Sequence, residues 1–253
     1  VAIFFGNFST LLCLPLSIVG FLDDKYILSS KIRFLFQIFT SILIFHFSDF
    51  SIHGIGIINS YEILIGLFII FTFIAFINFV NFMDGIDGLV GSCILVGLFF
   101  IGIQNDPLIF IFIGTLLGFL KWNWYPARIF MGDAGSTFLA SYYLLSLLRI
   151  EKINNIVGLF LILSPLIFDA LTCVIRRLFN GQNIFKAHKL HLYQRLCQSG
   201  MTHSKVTLMY FSACLILGIT YKTLGIYPLI AIILLQVCFG IWLDQKVAVS
   251  FKN

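Results

Sequence analysis

Residues 62–80 read EILIGLFIIFTFIAFINFV, an apolar run with one acidic residue at its start and no basic residue. About 20 apolar residues in a helix cross the hydrocarbon core of a bilayer. The whole chain has the same character, because hydrophobic residues make up 60% of its 253 residues and charged residues only 11%. A soluble domain is nearer half apolar and a quarter charged. The sequence therefore predicts an all-α, polytopic transmembrane helical bundle.

Further apolar runs on both sides of this stretch predict about nine helices, which form a single domain over residues 1–253. Several of the runs are short, so eight and ten helices remain open alternatives. The predicted spans are 1–22, 34–47, 62–80, 89–103, 108–121, 136–148, 156–174, 206–221 and 225–242.

Lys and Arg are unevenly distributed over the loops between these spans. The loops at about 23–33, 81–88, 122–135 and 176–205, together with the C-terminal tail, carry all but three of the 16 basic residues. By the positive-inside rule, these four loops are predicted to face the cytoplasm. The net charge of +5 follows from this topology and gives no reason to expect a nucleic-acid partner. The three basic residues on the opposite side are Arg149, Lys152 and Lys222.

Six of the eleven acidic residues lie on or next to the same four loops. Acidic residues near membrane spans usually have a function, and neighbouring carboxylates repel unless a cation or a raised pKa relieves them. Carboxylate and phosphate oxygens are the ligands that Mg²⁺ prefers. The alternative is that each acid merely solvates a helix end, but repetition on one side disfavours it. The six are Asp23, Asp24, Asp84, Asp87, Asp133 and Asp169.

The second and third loops place these acids among glycines and amides. Each Asp of the second loop precedes a glycine, which allows a ligand to approach the backbone closely. The third loop leads into a helix, whose first N–H groups bind anions. An ordinary N-cap at Ser136 is the alternative there. The second loop reads Asn78-Phe-Val-Asn81-Phe-Met-Asp84-Gly-Ile-Asp87-Gly, and the third runs from Asn123 to Gly132-Asp133-Ala-Gly-Ser136.

The fourth loop is the longest and most basic. His188 and His191 share a helix face with Arg195 if the segment is helical, and such side chains suit diphosphate recognition. A basic loop that binds anionic lipid is the alternative. His46, His53 and His203 have no comparable neighbours in the sequence and are predicted to be structural. The six cysteines show no metal-ligand spacing, and we expect them to behave as small apolar residues without disulfides.

Taken together, these features predict phosphoryl chemistry at a membrane face, with a nucleotide-type substrate and a lipid partner. Four motifs occur in order over about residues 17–196. They are Gly20-Phe-Leu-Asp-Asp24, then Asn78-x-x-Asn81-x-x-Asp84-Gly-x-Asp87-Gly-Leu89, then Asn123-x-x-Pro126-Ala-x-Ile-Phe-Met-Gly-Asp133-x-Gly-Ser136, and Asp169 followed by Arg176-Arg177 and the His-rich loop.

In this order the motifs resemble those of the polyprenyl-phosphate N-acetylhexosamine-1-phosphate transferase family, of glycosyltransferase family 4 type. The resemblance implies transfer of an amino-sugar phosphate from a UDP-sugar to undecaprenyl phosphate, with UMP released and Mg²⁺ required; Mn²⁺ is an alternative metal. It also implies a bacterial inner-membrane location with a cytoplasmic active site. The His-rich loop looks most like the O-antigen-initiating branch rather than the peptidoglycan branch.

The resemblance also assigns roles to the motif residues. Asp133, with Asp87, is expected to hold the metal, and Asp23 or Asp24 to take the proton of the lipid phosphate. Asp84 and the His188–His191 pair are expected to be catalytic as well. The expected substrate-binding residues are Asn78, Asn81, Asn123, Gly132, Ser136 and Arg195.

Several alternatives remain open from the sequence. Attack on the diphosphate is expected in one step, with an aspartyl-phosphate route as the alternative. The family usually has further helices before the first motif, so we expect the chain to be N-terminally truncated and to turn over poorly. A secondary transporter and an inactive truncated family member are the rival functions, and a homodimer is left open.

Overall fold

The computed structural model of the protein describes residues 8–26, 28–47, 60–104, 107–183 and 188–251. These residues form helices and connecting segments, with no strand among them. A 3₁₀ helix at Phe8–Cys13 precedes eleven α-helices. They are α1 Leu14–Tyr26, α2 Ser30–Phe47, α3 Ser60–Met83, α4 Leu89–Gly102, α5 Ile109–Asn123, α6 Gly132–Leu147, α7 Ile153–Leu161, α8 Ser164–Phe179, α9 Leu192–Gln198, α10 His203–Leu224 and α11 Ile226–Lys246.

The predicted all-α fold class is confirmed, and each predicted span falls on a helix or a pair of helices. Within the described part of the chain, α2, α10, α11 and the stretch Ile63–Phe82 of α3 are long and apolar enough to cross a membrane. α4 and α5 are shorter apolar helices. The predicted span 1–22 is described only from residue 8 onwards.

Two elements differ from the prediction. The span predicted at 156–174 consists of α7 and α8, which meet at an angle of 69° and together form a fifth candidate span. Pro165 in the first turn of α8 suits a helix start, since proline has no N–H to donate to the preceding turn. The short helix α9 lies inside the predicted fourth loop, where the sequence shows no long apolar run.

α1 and α6 pack antiparallel and bring two acidic motifs to one end of the bundle. The hydroxyl of Thr137 donates to the carbonyl of Leu16, 3.5 Å away. One turn further along, a Cβ on Gly20 would lie 2.5 Å from the backbone nitrogen of Ala134, so only glycine permits this approach. The end of α1 therefore lies directly beside the start of α6.

The apolar side chains separate into a packed interior and an exposed surface. α4 and α6 are buried along most of their length and form the centre of the bundle. α2, α3 and α11 instead expose rows of large apolar side chains, such as Phe68 and Phe71 on α3. A helix that is apolar all round is typical of a membrane span. We therefore assign these outer faces to contact with lipid.

Candidate active site

Asp24, in the last turn of α1, contacts the first turn of α6. Its Oδ1 accepts a hydrogen bond of 3.1 Å from the backbone N–H of Asp133. Gly132 has φ +58°, and a Cβ at this position would collide with the carboxylate of Asp24. A carboxylate at a helix N-terminus satisfies a free N–H group and interacts favourably with the helix dipole. The glycine-rich start of α6, in the third motif, thus binds the carboxylate of Asp24, in the first motif.

Arg33, in the first turn of α2, bridges two of the acids. Its Nη1 lies 3.0 Å from Oδ2 of Asp23 and 3.4 Å from Oδ2 of Asp133. The other oxygen of Asp23 accepts a hydrogen bond of 2.6 Å from the backbone N–H of Leu28. Arg33 is not among the predicted site residues, because its neighbours in the chain carry no motif. Only its place in the same short loop as Asp23 could have indicated it.

Asp84 directly follows the last residue of α3 and is the fourth acid at this end of the bundle. Burial raises its pKa to about 7, and the negative charges of Asp133 and Asp24 add to the effect. Asp133 lies before the apolar part of α6, and its pKa is raised to about 6 by burial and by Asp23 and Asp24, against the opposing effect of Arg33. We call Asp23, Asp24, Asp84 and Asp133 the carboxylate cluster.

The charges of this cluster are incompletely balanced within the described residues. Arg33 contacts two of the four carboxylates, and burial raises the pKa of Asp84 and of Asp133, with repulsion from the neighbouring acids adding to the effect. A divalent cation with oxygen ligands would relieve that repulsion. Carboxylate oxygens suit Mg²⁺ by their chemistry, and a metal at this cluster remains a prediction.

The predicted substrate-binding residues of α3 and α6 are hydrogen-bonded within the protein. The hydroxyl of Ser136 donates to Oδ1 of Asn81 at 2.6 Å and joins the two helices below the cluster. Further along α3, Asn78 and Gln37 of α2 exchange two hydrogen bonds of 2.8 and 3.2 Å. Asn81 and Ser136 therefore support the cluster, whereas Asn78 lies on the side of α3 that faces α2.

Asp87 and Asn123 hold the second and third loops together. The amide of Asn123 accepts from the N–H of Gly88 at 3.1 Å and donates to the carbonyl of Ile129 at 2.8 Å. Oδ2 of Asp87 accepts from the N–H of Ala127 at 3.0 Å, while its Oδ1 lies 3.2 Å from Nδ1 of His203. Both oxygens of Asp87 thus have partners away from the carboxylate cluster.

His203 is one of three histidines predicted to be structural, and its contact with Asp87 agrees with a bracing role. His46 lies near the end of α2 against Phe47. His53 lies outside the described residues. The contact of His203 with an acid more than a hundred residues earlier leaves no sign in the local sequence.

Asp169, on α8, organises the fourth loop. Its two oxygens accept hydrogen bonds from the N–H groups of Leu192 and Tyr193 at 2.7 and 3.0 Å, and from the hydroxyl of Tyr210 at 2.7 Å. Nδ1 of His191 lies 3.7 Å from the same carboxylate. Asp169 therefore caps α9 and orients His191, so it acts on the histidine pair rather than on a substrate.

The histidine pair of the fourth loop is stacked and partly buried. The rings of His188 and His191 lie 5.0 Å apart at an interplanar angle of 28°. Burial, the neighbouring His191 and the charge of Arg177 lower the pKa of His188 to about 4. His188 is therefore neutral at pH 7, and it can donate a hydrogen bond to a phosphate oxygen but brings no positive charge.

Tyr193 connects this pair to the second loop. Its hydroxyl donates to the carbonyl of Phe82 at 3.0 Å, two residues before Asp84. The ring of His191 lies 6.1 Å from that of Phe82. A Cβ on Gly85 would collide with the hydroxyl of Tyr193, so the loop packs tightly here. Tyr193 is not among the predicted site residues, although it lies within the His-rich motif.

Arg195, predicted to bind diphosphate, is tied to the end of α11. Its Nε donates to the carbonyl of Leu190 at 3.1 Å, and its Nη1 to that of Val249 at 2.8 Å. Its Nη2 pairs with Asp244, which also binds Arg176 at 2.6 Å. Three of its nitrogens thus bind within the protein, and its predicted contact with substrate remains a prediction.

Known proteins match this chain over most of its length. Residues 8–151, more than half of the chain, match the family model described as "Glycosyl transferase family 4". The chain is 31% identical over 231 residues to a protein of Bacillus subtilis (strain 168) named "Probable undecaprenyl-phosphate N-acetylglucosaminyl 1-phosphate transferase", covering 77% of this chain and 59% of that protein. It is 33% identical over 227 residues to a "Phospho-N-acetylmuramoyl-pentapeptide-transferase" of Listeria innocua, covering 78% of this chain and 68% of that protein.

A shorter match, 31% identical over 119 residues, is to a "Decaprenyl-phosphate N-acetylglucosaminephosphotransferase" of Mycobacterium leprae, covering 39% of this chain and 28% of that protein. The chain thus spans less than two thirds of the length of the Bacillus and Mycobacterium relatives. The matches and the apolar helices identify an integral membrane protein. The family model covers the first three acidic motifs, including the whole carboxylate cluster, and the chain belongs to glycosyl transferase family 4.

Proposed function

We propose that the protein transfers the phosphate of an N-acetylated amino sugar from a UDP-sugar to undecaprenyl phosphate, which releases UMP. The observation that carries the proposal is the convergence of Asp24, Asp84 and Asp133 at the start of α6. The names of the relatives support the choice of a polyprenyl phosphate acceptor and an N-acetylhexosamine phosphate.

Asp24 and Asp133 are the residues that would hold Mg²⁺ or Mn²⁺, and Asp84 is kept for proton transfer. Bound there, the metal supplies Lewis-acid stabilisation and a template for the diphosphate. Asp87 was also expected to be a ligand, and its contacts with Ala127 and His203 give it a supporting role in this proposal. Arg33 keeps Asp23 and Asp133 in place from the side of α2.

Asp84 is suited to move a proton in this site. A group with a pKa of about 7 is present as both acid and base at neutral pH, which favours general acid–base catalysis. Both oxygens of Asp23, in contrast, are already bonded to Leu28 and Arg33. We therefore assign the acceptance of the lipid phosphate's proton to Asp84 rather than to Asp23. That phosphate has a second pKa near 6, so the positioning of its oxygens matters more than the transfer itself.

The fourth loop supplies hydrogen bonds to the phosphates. His191 lies against Phe82 and is oriented by Asp169, and His188 stacks on it as a neutral ring. Neutral N–H donors that point at an oxyanion stabilise the negative charge that develops on it. By the positive-inside rule, this site faces the cytoplasm of a bacterial inner membrane. The role in O-antigen or peptidoglycan-type synthesis belongs to the same proposal.

The test is an assay of the purified protein in lipid nanodiscs with Mg²⁺, undecaprenyl phosphate and a panel of UDP-sugars. We expect UMP release that requires both the lipid phosphate and the metal, together with a lipid diphospho-sugar product. A phosphorylated protein trapped before the lipid is added would favour the two-step route. Absence of UMP with every sugar, both for this 253-residue chain and for a longer chain, would refute the proposal.

The rival transporter function is disfavoured by the position of the acids. Transporters usually bind their substrates near the bilayer midplane, between broken helices. Asp84 directly follows the end of α3, and Asp133 lies in the first turn of α6, so both lie at helix ends. Uptake of a labelled UDP-sugar into proteoliposomes without formation of a lipid product would restore the transporter hypothesis.

A further inference from the structure

Three side chains that bind soft metal ions lie together beside α9. Cys173 belongs to α8, and His188 and His191 belong to the segment before α9. One ligand atom from each residue lies within 4.8 Å of the other two. Zinc–sulfur bonds near 2.3 Å and zinc–nitrogen bonds near 2.1 Å place tetrahedral ligands about 3.5 Å apart. A shift of about 1 Å at the side-chain tips therefore closes the set around one ion.

The two imidazoles are held in forms that can bind a metal. The N–H of Leu190 donates a long bond of 3.3 Å to Nδ1 of His188, so this nitrogen carries no proton. A metal ion can replace so weak a bond. Nδ1 of His191 faces the carboxylate of Asp169 at 3.7 Å, which leaves the opposite ring nitrogen for a ligand. Carboxylate, histidine and metal in series are a common arrangement at zinc sites.

We propose that Cys173, His188 and His191 form a binding site for a soft divalent transition-metal ion of the zinc class, with one position open to water. We call these residues the soft-donor cluster. Sulfur and imidazole ligands select such ions, whereas the oxygen ligands of the carboxylate cluster suit Mg²⁺. The proposal gives His188 and His191 a different use from the one in the proposed function, because a ring nitrogen that binds a metal cannot donate to a phosphate. Metal occupancy can be measured without turnover, so the two uses are tested separately.

The charged groups around the soft-donor cluster have opposite effects on a cation, because Arg176, Arg177 and Arg195 bring positive charge near Cys173. Asp169 lies next to His191, and a bound thiolate adds a second negative charge. Arg176 and Arg195 share Asp244, and Arg177 donates to Gln182 and Asn183. Cys173 is 3% exposed and lines a cavity of about 190 Å³ between α8, α10 and α11.

The test is a titration of the purified, detergent-solubilised protein with Co²⁺, followed by the absorption band of a cobalt–thiolate bond. We expect one Co²⁺ per chain, displacement by Zn²⁺ and no competition from excess Mg²⁺. Cys173→Ser should lose the band, while Cys197→Ser, which removes a thiol of α9, should keep it. Asp24→Asn should also keep the band, because it alters the carboxylate cluster alone.

His188→Gln tests the site in a variant with less risk to folding, since His188 is only partly buried. Loss of one ligand should weaken Co²⁺ binding by at least about tenfold. Mutation of residues that only hydrogen-bond to metal ligands already lowers metal affinity by about 10- to 100-fold. The proposal fails if the protein shows no thiolate band, if the band survives in a folded Cys173→Ser variant, or if His188→Gln binds Co²⁺ as tightly as the parent.

Discussion

The backbone N–H of Asp133 donates a hydrogen bond of 3.1 Å to Oδ1 of Asp24, across 109 residues of sequence. This bond connects the last turn of α1 to the first turn of α6, while Arg33 of α2 reaches Asp133 from another side. Two acids whose charges repel are thus held together by backbone and arginine contacts. Such an arrangement stores unfavourable electrostatic energy, which a bound cation can release.

Replacing Asp24 or Asp133 by Asn should reduce UMP release at least about 100-fold, because each removes a charge that positions the metal and diphosphate. Asn at position 24 keeps an oxygen that can accept the N–H of Asp133, so the junction of α1 and α6 should survive. UMP release in nanodiscs and chromatographic elution in detergent measure the two effects.

Glu151→Gln is the matched control for these substitutions, since Glu151 is exposed in the connection between α6 and α7. It should retain the activity of the parent chain. Turnover close to normal in Asp24→Asn or Asp133→Asn would remove the residue concerned from the chemistry.

Gly132→Ala should impair the site more than Gly181→Ala does. Both glycines have positive φ, +58° and +66°, a conformation that costs a residue with a Cβ about 1–2 kcal/mol. A Cβ on Gly132 would also collide with Asp24, whereas one on Gly181 would meet no atom within 4 Å. The difference in thermal midpoint and in UMP release between the two variants isolates the contact with Asp24. Equal effects would show that this contact is unimportant.

The stability of the metal-free protein should depend on pH through Asp84. Its pKa is about 7 in the folded state and about 3.8 unfolded, so the folded state binds more protons between these values. The contribution of Asp84 to stability is therefore fully present below about pH 4 and is lost as the pH rises through 7. The thermal midpoint in detergent at pH 5.5 and at pH 8 measures this loss.

His188 changes stability in the opposite direction over part of this range, because its folded pKa of about 4 lies below the ordinary value of 6.5. The effect of Asp84 is therefore read by comparing the thermal midpoints of the parent and of Asp84→Asn. The midpoint of Asp84→Asn should fall less between pH 5.5 and pH 8 than that of the parent. Mg²⁺ should raise the midpoint more at pH 8 than at pH 5.5, because it binds deprotonated carboxylates. An identical pH profile in Asp84→Asn would contradict the assignment.

Tyr193→Phe should slow turnover by about tenfold with a loss of only about 1 kcal/mol in stability. The phenol hydroxyl holds the carbonyl of Phe82 at 3.0 Å and so fixes the loop that carries Asp84. Tyr227→Phe on the exposed start of α11 is the control, with no effect expected. The kcat of UMP release measures the change, and an unaltered kcat would mean that the loop holds its position without this bond.

The helices could be predicted from the sequence because long apolar runs specify membrane spans locally. The break between α7 and α8 was missed, since apolar residues continue on both sides and only Pro165 marks a new helix start. The sequence allowed a helix that places His188, His191 and Arg195 on one face, but α9 begins only after His191, where Asp169 of α8 caps it.

The acids of the site could be predicted as a set, but their partners could not. Asp84 and Asp87 both precede glycine in one loop, yet Asp84 is close to Asp133 and Asp24, while Asp87 contacts Ala127 and His203. These partners come from other parts of the chain, and no local pattern distinguishes the two acids. Arg195 shows the same limit, because it binds Asp244, 49 residues later.

The reciprocal amide pair between Gln37 and Asn78 has a consequence for the height of the acidic loops relative to the bilayer. Gln37 lies seven residues, or about 10 Å, into α2, and Asn78 lies about 8 Å before the end of α3. Two hydrogen bonds between amides in apolar surroundings prevent either helix from sliding along the other. A change in membrane thickness should therefore tilt α2 and α3 together and keep Arg33 and Asp84 at a common depth.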